Sequence, residues 1–191
     1  MKTLNLTFNE GVLLAISTLT VLAGATIAPS LPFIAEQFSQ LTHNTFWAQL
    51  AIGLPGICVA LSAAWIGKNA AGKNTPALLI IALLGYGVLG VAYLIAPEKL
   101  SLLLASRAVL GFCVAAIMIM TTVLLVKDKA PQTTAELLGY QAAAGRCGGV
   151  IYMALANELT QWYGLAPFGL YAIAWLFAVL LWLSFPKSLQ Q

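Results

Sequence analysis

Charged residues are scarce in this chain. Only 8% of its 191 residues are charged, and 61% are hydrophobic, whereas about a quarter of the residues in a soluble domain carry charge. A water-soluble chain of this size could not hide so much apolar surface. The composition therefore excludes a soluble protein and indicates a chain that is inserted in a membrane, in contact with lipid.

The side chains that metal sites and most enzymes require are also few. The chain has one histidine, His43, and its three cysteines lie in separate apolar segments without metal-ligand spacing. The sequence has no glycine-rich nucleotide loop and no nucleophile–base pair. We therefore expect no enzyme, no ATP-driven pump, no cofactor and no metal. The net charge of +3 comes mostly from lysines beside the apolar segments, so it does not indicate a nucleic-acid partner.

Long apolar runs, in contrast, are abundant. Six runs have about 20 residues or more, enough for a helix to cross a hydrocarbon layer of ~30 Å. Lipid offers backbone groups no partners, so a span must be a helix or part of a closed barrel. The fold class predicted for residues 1–191 is a single all-α membrane domain with six transmembrane helices. Their approximate ranges are 11–33, 46–67, 76–96, 100–126, 137–159 and 165–185.

The lysines predict the orientation of these spans. If the N-terminus is cytoplasmic, only Lys99 lies outside the cell, which agrees with the bias of positive charge toward the cytoplasm. Both termini are then cytoplasmic. The lysines on the cytoplasmic side are Lys2, Lys68, Lys73, Lys127, Lys129 and Lys187.

The start of the chain also resembles a cleavable export signal. The stretch "MKTLNLTFNEGVLLAISTLTVLAGA" has a lysine, an apolar core and then small residues, and its removal would leave five spans. The continuation "APSLPFIAEQF" favours a helix that stays in the membrane. We expect Pro29 and Pro32 to kink or break the outer end of this helix, because each removes a backbone hydrogen bond.

Three stretches carry a resemblance to a known family. The first helix ends in "ATIAPSLPFIAEQF", the fourth contains "LLLASRAVLGFCVAA" with Arg107 and Gly111 in an R-x-x-x-G pattern, and the fifth and sixth contain "ELLGYQAAAGRCGGVIYMALANELTQWYGLAPFGLYAIA". Together they resemble the major facilitator superfamily of transporters, most closely its drug-exporter branch. Two features depart from that family. It normally has twelve helices in two halves, and its acid and arginine between helices two and three are replaced here by Asn69 and Ala70 in "GKNAAGKN".

The resemblance implies one half of such a transporter. The two halves of that fold are parallel repeats, so two copies of a six-helix unit can reproduce the arrangement as a two-fold homodimer. The implied function is a secondary transporter, an exporter or antiporter in the bacterial inner membrane. It would move a small anionic or amphiphilic organic compound through a central cavity by alternating access. The alternative is a non-transporting membrane subunit or a fragment that pairs with another half or partner protein.

Two arginines inside the spans carry most of the functional information. Arg107 lies ~10 Å into the fourth helix and Arg146 ~13 Å into the fifth, and no acid lies as deep. Intramembrane charges normally face a protein interior or a watery cavity, and guanidinium groups bind carboxylate or phosphate well. These observations predict an anionic substrate. The alternative for each arginine is a structural role, in which it binds backbone carbonyls or an amide.

Other polar and small residues complete the candidate site. Thr26 and Ser30 either bind substrate or satisfy carbonyls freed by the prolines, and the glutamines either bridge helices or touch substrate. Met118 either lines an adaptable cavity or lies in the protein core. Glu136 either closes a capping box with Thr133 or conducts protons, so coupling to protons stays open. The candidate substrate-binding residues are Arg107, Arg146, Thr26, Ser30, Gln49, Gln141, Met118 and Asn157. The glycines predicted to form the dimer interface, or else to pack helices within one unit, are Gly53, Gly56, Gly145 and Gly149.

Overall fold

A computed structural model of the chain describes residues 6–40, 44–70, 72, 74–95 and 97–184. All regular structure in these ranges is helical. The helices are α1 (Phe8–Ser17), α2 (Leu19–Gln37), α3 (Asn44–Asn69), α4 (Thr75–Val91), α5 (Leu100–Val126), α6 (Pro131–Trp162) and α7 (Ile173–Ser184), with 3-10 segments at Ala92–Ile95 and Ala166–Ala172. Lys2, His43, Lys73, Ala96, Phe185 and Lys187, which entered the predictions above, lie outside the described residues.

Five helical stretches are long and apolar enough to cross a membrane. They are Phe8–Gln37, which joins α1 and α2, Phe46–Asn69, Thr75–Ile95, Leu100–Val126 and Ala166–Ser184. The all-helical, multi-pass membrane character predicted from composition is therefore confirmed. The remaining predicted span, residues 137–159, lies within α6. This helix has 32 residues, but its arginine, amides and many small residues make it less apolar than the other five.

The first span is interrupted near its start and not at its prolines. α2 continues as a helix through both Pro29 and Pro32. The prediction that the prolines break the outer end is therefore wrong, while a kink there stays a prediction. The interruption lies at Thr18, between α1 and α2. There, the hydroxyl groups of Ser17, Thr18 and Thr20 each donate to the backbone carbonyl three residues earlier, at 2.7–2.8 Å. Such bonds compete with the helical hydrogen-bond ladder and bend helices.

A Thr-x-x-Glu capping box forms at one of the two places where the sequence carries the pattern. At the start of α1, Thr7 N–H donates to Glu10 Oε2 at 2.7 Å and Glu10 N–H donates to Thr7 Oγ1 at 3.4 Å. The predicted box of Thr133 and Glu136 is absent from the described structure. α6 begins earlier, at Pro131, and its N-cap Ala130 makes no side-chain hydrogen bond. Proline at the first helical position suits a helix start, so Thr133 becomes the third residue of the helix and is not its N-cap.

This difference yields a stability prediction with a matched control. We expect Thr7→Ala to lower the free energy of unfolding by about 1 kcal/mol, because it removes an N-cap hydrogen bond. Thr133→Ala should change it by less than about 0.5 kcal/mol. Unfolding in mixed detergent micelles containing increasing sodium dodecyl sulfate measures both. If the two variants lowered the free energy of unfolding equally, the assignment of the N-cap to Thr7 would be contradicted.

The helices pack around the first span and α5. α3 packs mainly on α5 and also on α2, while α6 packs mainly on α2 and also on α1. α4 packs on α5 and α7, and α7 also packs on α1. α3 and α6 thus lie on either side of the central helices. This arrangement leaves one open cleft on the α6 side of α2 and another on its α3 side.

α6 follows the first span from one end to the other. Near the start of α6, Lys129 Nζ lies 2.6 Å from Glu10 Oε1 at the beginning of α1. Just beyond the other end of α6, the Tyr163 ring stacks edge-on against Phe33, with ring centroids 5.9 Å apart. Because these contacts lie at opposite ends of both segments, α6 and the first span run in the same direction and over a similar length.

Candidate functional site

A cleft with several polar lining groups lies between the first span, α5 and α6. Its volume is about 480 Å³, and it is open to the outside of the protomer. We call it the Arg146 cleft. Its lining residues are Ser17, Thr20, Val21, Met118, Thr122, Leu138, Gln141, Ala142, Gly145, Arg146 and Gly149.

Arg146 gives this cleft a permanent positive charge. Its side chain is exposed, and within the described ranges it has no hydrogen-bond or ion-pair partner. No carboxylate is among the lining residues in the described part of the chain. Arginine stays protonated in proteins and offers five N–H donors. An uncompensated guanidinium that faces an open cleft is a suitable partner for an anion.

The interruption of the first span places polar oxygens on the opposite wall. Ser17 and Thr20 line the cleft because the hydroxyl-rich stretch around Thr18 faces α6. Thr18 itself joins the first span to α6, since its Oγ1 lies 2.9 Å from the hydroxyl of Tyr152 on α6. The stretch "STLT" in the sequence was the available signal for this wall, although the sequence reasoning did not use it.

α5 provides the third wall through Met118 and Thr122. Gln141 Nε2 on α6 donates to Thr122 Oγ1 at 3.1 Å, and the Thr122 hydroxyl donates to the carbonyl of Met118 at 2.8 Å. Gln141 was predicted either to bridge helices or to touch substrate, and its position allows both. Met118 is exposed and lines the cleft, so it does not occupy the protein core.

A second groove continues along α6 from the same arginine. It measures about 640 Å³ and is lined by Arg146, Gly149, Val150, Met153, Ala154 and Asn157. The structure therefore places Asn157, a candidate substrate-binding residue, in a groove that Arg146 also lines. All of these lining residues belong to one helix, so the groove has no opposite wall in the part of the protomer that the structure describes.

Arg107 occupies a different environment. Its side chain is fully buried, with 0% exposure, and it lines none of the three clefts described in this section. Nη1 donates to the hydroxyl of Tyr171 at 2.6 Å, and Nη2 donates to the carbonyl of Gly90 at 3.5 Å. The guanidinium also lies over the rings of Phe168 and Tyr171, 4.9 Å and 5.1 Å from their centroids. This placement favours the structural role that the sequence left open for Arg107.

Thr26 and Ser30 belong to the same interior as Arg107. Both are buried. Thr26 Oγ1 lies 2.8 Å from the Tyr171 hydroxyl and 2.9 Å from the Leu22 carbonyl, and Ser30 Oγ donates to the Thr26 carbonyl at 3.4 Å. Neither hydroxyl bonds the carbonyls at positions 25 and 28, which the prolines free. These side chains join helices inside the protomer, and Tyr171 is the central residue that the sequence reasoning missed.

The four glycines predicted at the dimer interface fall into two pairs. Gly53 and Gly56 on α3 are exposed, and a Cβ built at either would meet nothing within 4 Å. Gly145 and Gly149 on α6 face Val21 of α2, with a built Cβ at 3.9 Å and 2.9 Å from its methyl carbons. The α6 pair therefore packs within one protomer, as the alternative interpretation held, and the α3 pair is left for an outside contact.

A third, smaller crevice of about 270 Å³ lies on the α3 side of α2. Thr20 lines both this crevice and the Arg146 cleft. Gly56 lines the crevice. Gln49 is exposed on α3 and lines none of the three clefts. Gly111 of the R-x-x-x-G pattern packs against α3, because a Cβ there would lie 2.6 Å from the Pro55 carbonyl oxygen.

Comparisons with protein-family models, with curated proteins and with solved structures gave no match to this chain. The resemblance to the major facilitator superfamily thus stays a prediction from the residues quoted above. The candidate site consists of the exposed guanidinium of Arg146, which lies between a polar cleft and an apolar groove.

Proposed function

We propose that the chain is one half of a secondary transporter for organic anions, completed by a second copy of itself. The observation that carries this proposal is Arg146. It lies near the middle of a membrane-length helix, faces two open grooves and has no described partner. A central arginine costs about 2.5–3.5 kcal/mol on insertion scales, so a functional reason for its position is required. An anion in the cleft supplies one.

We further propose that α6 crosses the membrane, which makes six spans. Its contacts with Glu10 at one end and Phe33 at the other support this, because the first span is apolar enough to cross. Its composition then follows from its surroundings: a helix that borders a water-filled path tolerates polar residues that lipid does not. Both termini are cytoplasmic in this proposal, in agreement with the positions of the lysines.

We propose a second copy because two surfaces in the described part of the protomer lack a packing partner. Among the described residues only α6 lines the groove that runs along it, and a Cβ built at Gly53 or Gly56 of α3 would meet nothing within 4 Å. Helices associate in lipid through the close approach of small residues, and identical chains usually close with two-fold symmetry. Two copies would enclose a path lined by two Arg146 side chains. Transport by alternating access, the export direction and the inner-membrane location come from the family resemblance, which is an analogy.

The test is counterflow of labelled organic carboxylates in proteoliposomes. We expect Arg146→Gln to lower flux about tenfold or more, since hydrogen bonds to charged groups contribute about 1.5–3 kcal/mol. Cys147→Ser is the matched control, because Cys147 is exposed beside Arg146 and lines none of the described clefts. Its flux should equal that of the unchanged chain.

Native mass measurement in nanodiscs accompanies the flux assay and should give two copies for all three proteins. Two results would contradict the proposal: flux from a stable monomer, or flux that is the same with and without Arg146. An assembled protein that moves none of the anions would instead indicate the alternative, a non-transporting membrane subunit.

A further inference from the structure

The hydroxyl groups of the Arg146 cleft have a definite hydrogen-bond polarity. Ser17 Oγ donates to the Leu14 carbonyl at 2.7 Å, and Thr20 Oγ1 donates to the Ser17 carbonyl at 2.8 Å. A hydroxyl group has one proton and two lone pairs. With these protons committed to the backbone, both oxygens present only lone pairs to the cleft.

The donors lie on the opposite wall. Arg146 offers its guanidinium N–H groups, and Gln141 offers the amide proton that is not used in its bond to Thr122. The α6 wall of the cleft therefore donates, and the wall formed by the first span accepts. A simple anion such as a fatty acid satisfies only the donating wall, and it leaves the oxygens of Ser17 and Thr20 unpaired once water is displaced, which is unfavourable.

The groove beyond Arg146 is apolar. Three of its six lining residues, Val150, Met153 and Ala154, have apolar side chains, and Asn157 lies at its far end. The groove shares Arg146 and Gly149 with the cleft. A ligand whose charged group lies at Arg146 can extend its carbon skeleton over these side chains. Methionine suits such a surface because its side chain is flexible and polarisable.

We infer that the ligand is an organic anion with an apolar body and a neutral hydrogen-bond donor, such as a hydroxyl group, next to the anionic group. A neutral donor fits better than an ammonium group, because no carboxylate is among the lining residues of either groove within the described ranges. This inference rests on the proposed function and specifies the substrate class of the same site.

The test compares the binding of octanoate and 2-hydroxyoctanoate to the protein in nanodiscs, with the signal of empty nanodiscs subtracted. The unchanged protein should bind the hydroxy acid about fivefold more tightly, the equivalent of one additional hydrogen bond. The double variant Ser17→Ala, Thr20→Val should bind the two acids equally. Thr160→Val is the matched control: Thr160 also donates to a carbonyl, that of Ala156 at 2.7 Å, but it lines neither groove, so the fivefold ratio should remain.

A shorter pair, butanoate and 2-hydroxybutanoate, tests the apolar body. Both should bind more weakly than the eight-carbon acids, by up to about fourfold for each methylene removed. Equal affinity for octanoate and 2-hydroxyoctanoate, or no effect of chain length, would overturn the inference while leaving an Arg146-dependent anion site intact. Binding of either acid that Arg146→Gln does not weaken would overturn the proposed function itself.

Discussion

Gly90→Ala is expected to prevent stable folding, while Gly85→Ala on the same helix is expected to be tolerated. A Cβ at Gly90 would lie 2.0 Å from Cγ and 2.3 Å from Cβ of Tyr171. These atoms are the base of a fully buried ring and cannot rotate away, so α4 and the last span would have to separate. Overpacking of a core typically costs about 1–3 kcal/mol and occasionally more, and this contact is closer than any ordinary one.

The separation would also break the hydrogen bonds of the Arg107 cluster, which we define as Arg107, Tyr171, Thr26 and the carbonyls of Ala23 and Gly90. Gly90 supplies its carbonyl to Arg107, and its missing side chain admits the Tyr171 ring. We therefore expect a loss of about 3 kcal/mol or more, together with poor recovery of the monodisperse protein after detergent extraction.

The control position differs in what a methyl group would meet. At Gly85 the nearest atom to a built Cβ is Sγ of Cys113, at 3.2 Å, which is the tip of a short side chain and can move by a few tenths of an ångström. Alanine also favours the helix by about 1 kcal/mol over glycine. Gly85→Ala should therefore change the free energy of unfolding by less than about 1 kcal/mol. Comparable losses at both positions would mean that the Tyr171 ring does not lie against Gly90.

The sequence predicted the helical membrane fold because that information is local. Each apolar run is readable without knowledge of its neighbours, and α5 was predicted as residues 100–126, which are the residues it spans. The polar composition of α6 is different. The reason for it is not local, because Arg146 and Gln141 line a cleft that exists only once the first span and α5 have packed beside α6.

The two arginines illustrate the same limit. Both are single charges in apolar segments, and from the sequence alone both were predicted to bind an anion. The structure separates them through residues more than 60 positions away, since Tyr171 and Phe168 enclose Arg107 while Arg146 faces open space. Side chains from distant parts of the chain decide whether a buried charge is structural or functional, and no spacing rule within one helix contains that information.

The Arg107 cluster gives the second prediction of large effect: removing the partner of the charge should harm the protein more than removing the charge. Tyr171 accepts from Arg107 and donates to the Ala23 carbonyl at 3.1 Å. Arg107 Nε has no partner among the described residues, and its bond to the Gly90 carbonyl is long. Tyr171→Phe would leave the guanidinium with almost no strong acceptor. A hydrogen bond to a charged group contributes about 1.5–3 kcal/mol, and a buried site lies at the upper end of that range because no water replaces the lost acceptor.

Arg107→Met, in contrast, removes the charge and retains much of the volume. The hydroxyl of Tyr171 keeps its bond to Ala23 and its contact with Thr26, so few polar atoms lose their partners. Replacing buried charges by apolar side chains of similar size is often neutral or stabilising. We expect Arg107→Met to lower the free energy of unfolding by less than about 1.5 kcal/mol, and Tyr171→Phe to lower it by about 3 kcal/mol.

The double variant decides whether these residues act as a unit. Once Arg107 is methionine, Tyr171→Phe should cost only about 1 kcal/mol, the usual value of one neutral hydrogen bond. The double-mutant cycle of wild type, the two single variants and the double variant should therefore give a coupling free energy of about 2 kcal/mol between Arg107 and Tyr171. Unfolding in mixed micelles measures all four proteins. Arg107→Met should also keep most of the anion flux. If it abolishes flux without loss of stability, and Tyr171→Phe is harmless, Arg107 is a substrate ligand after all, because a guanidinium that binds substrate does not need the Tyr171 hydroxyl as its acceptor.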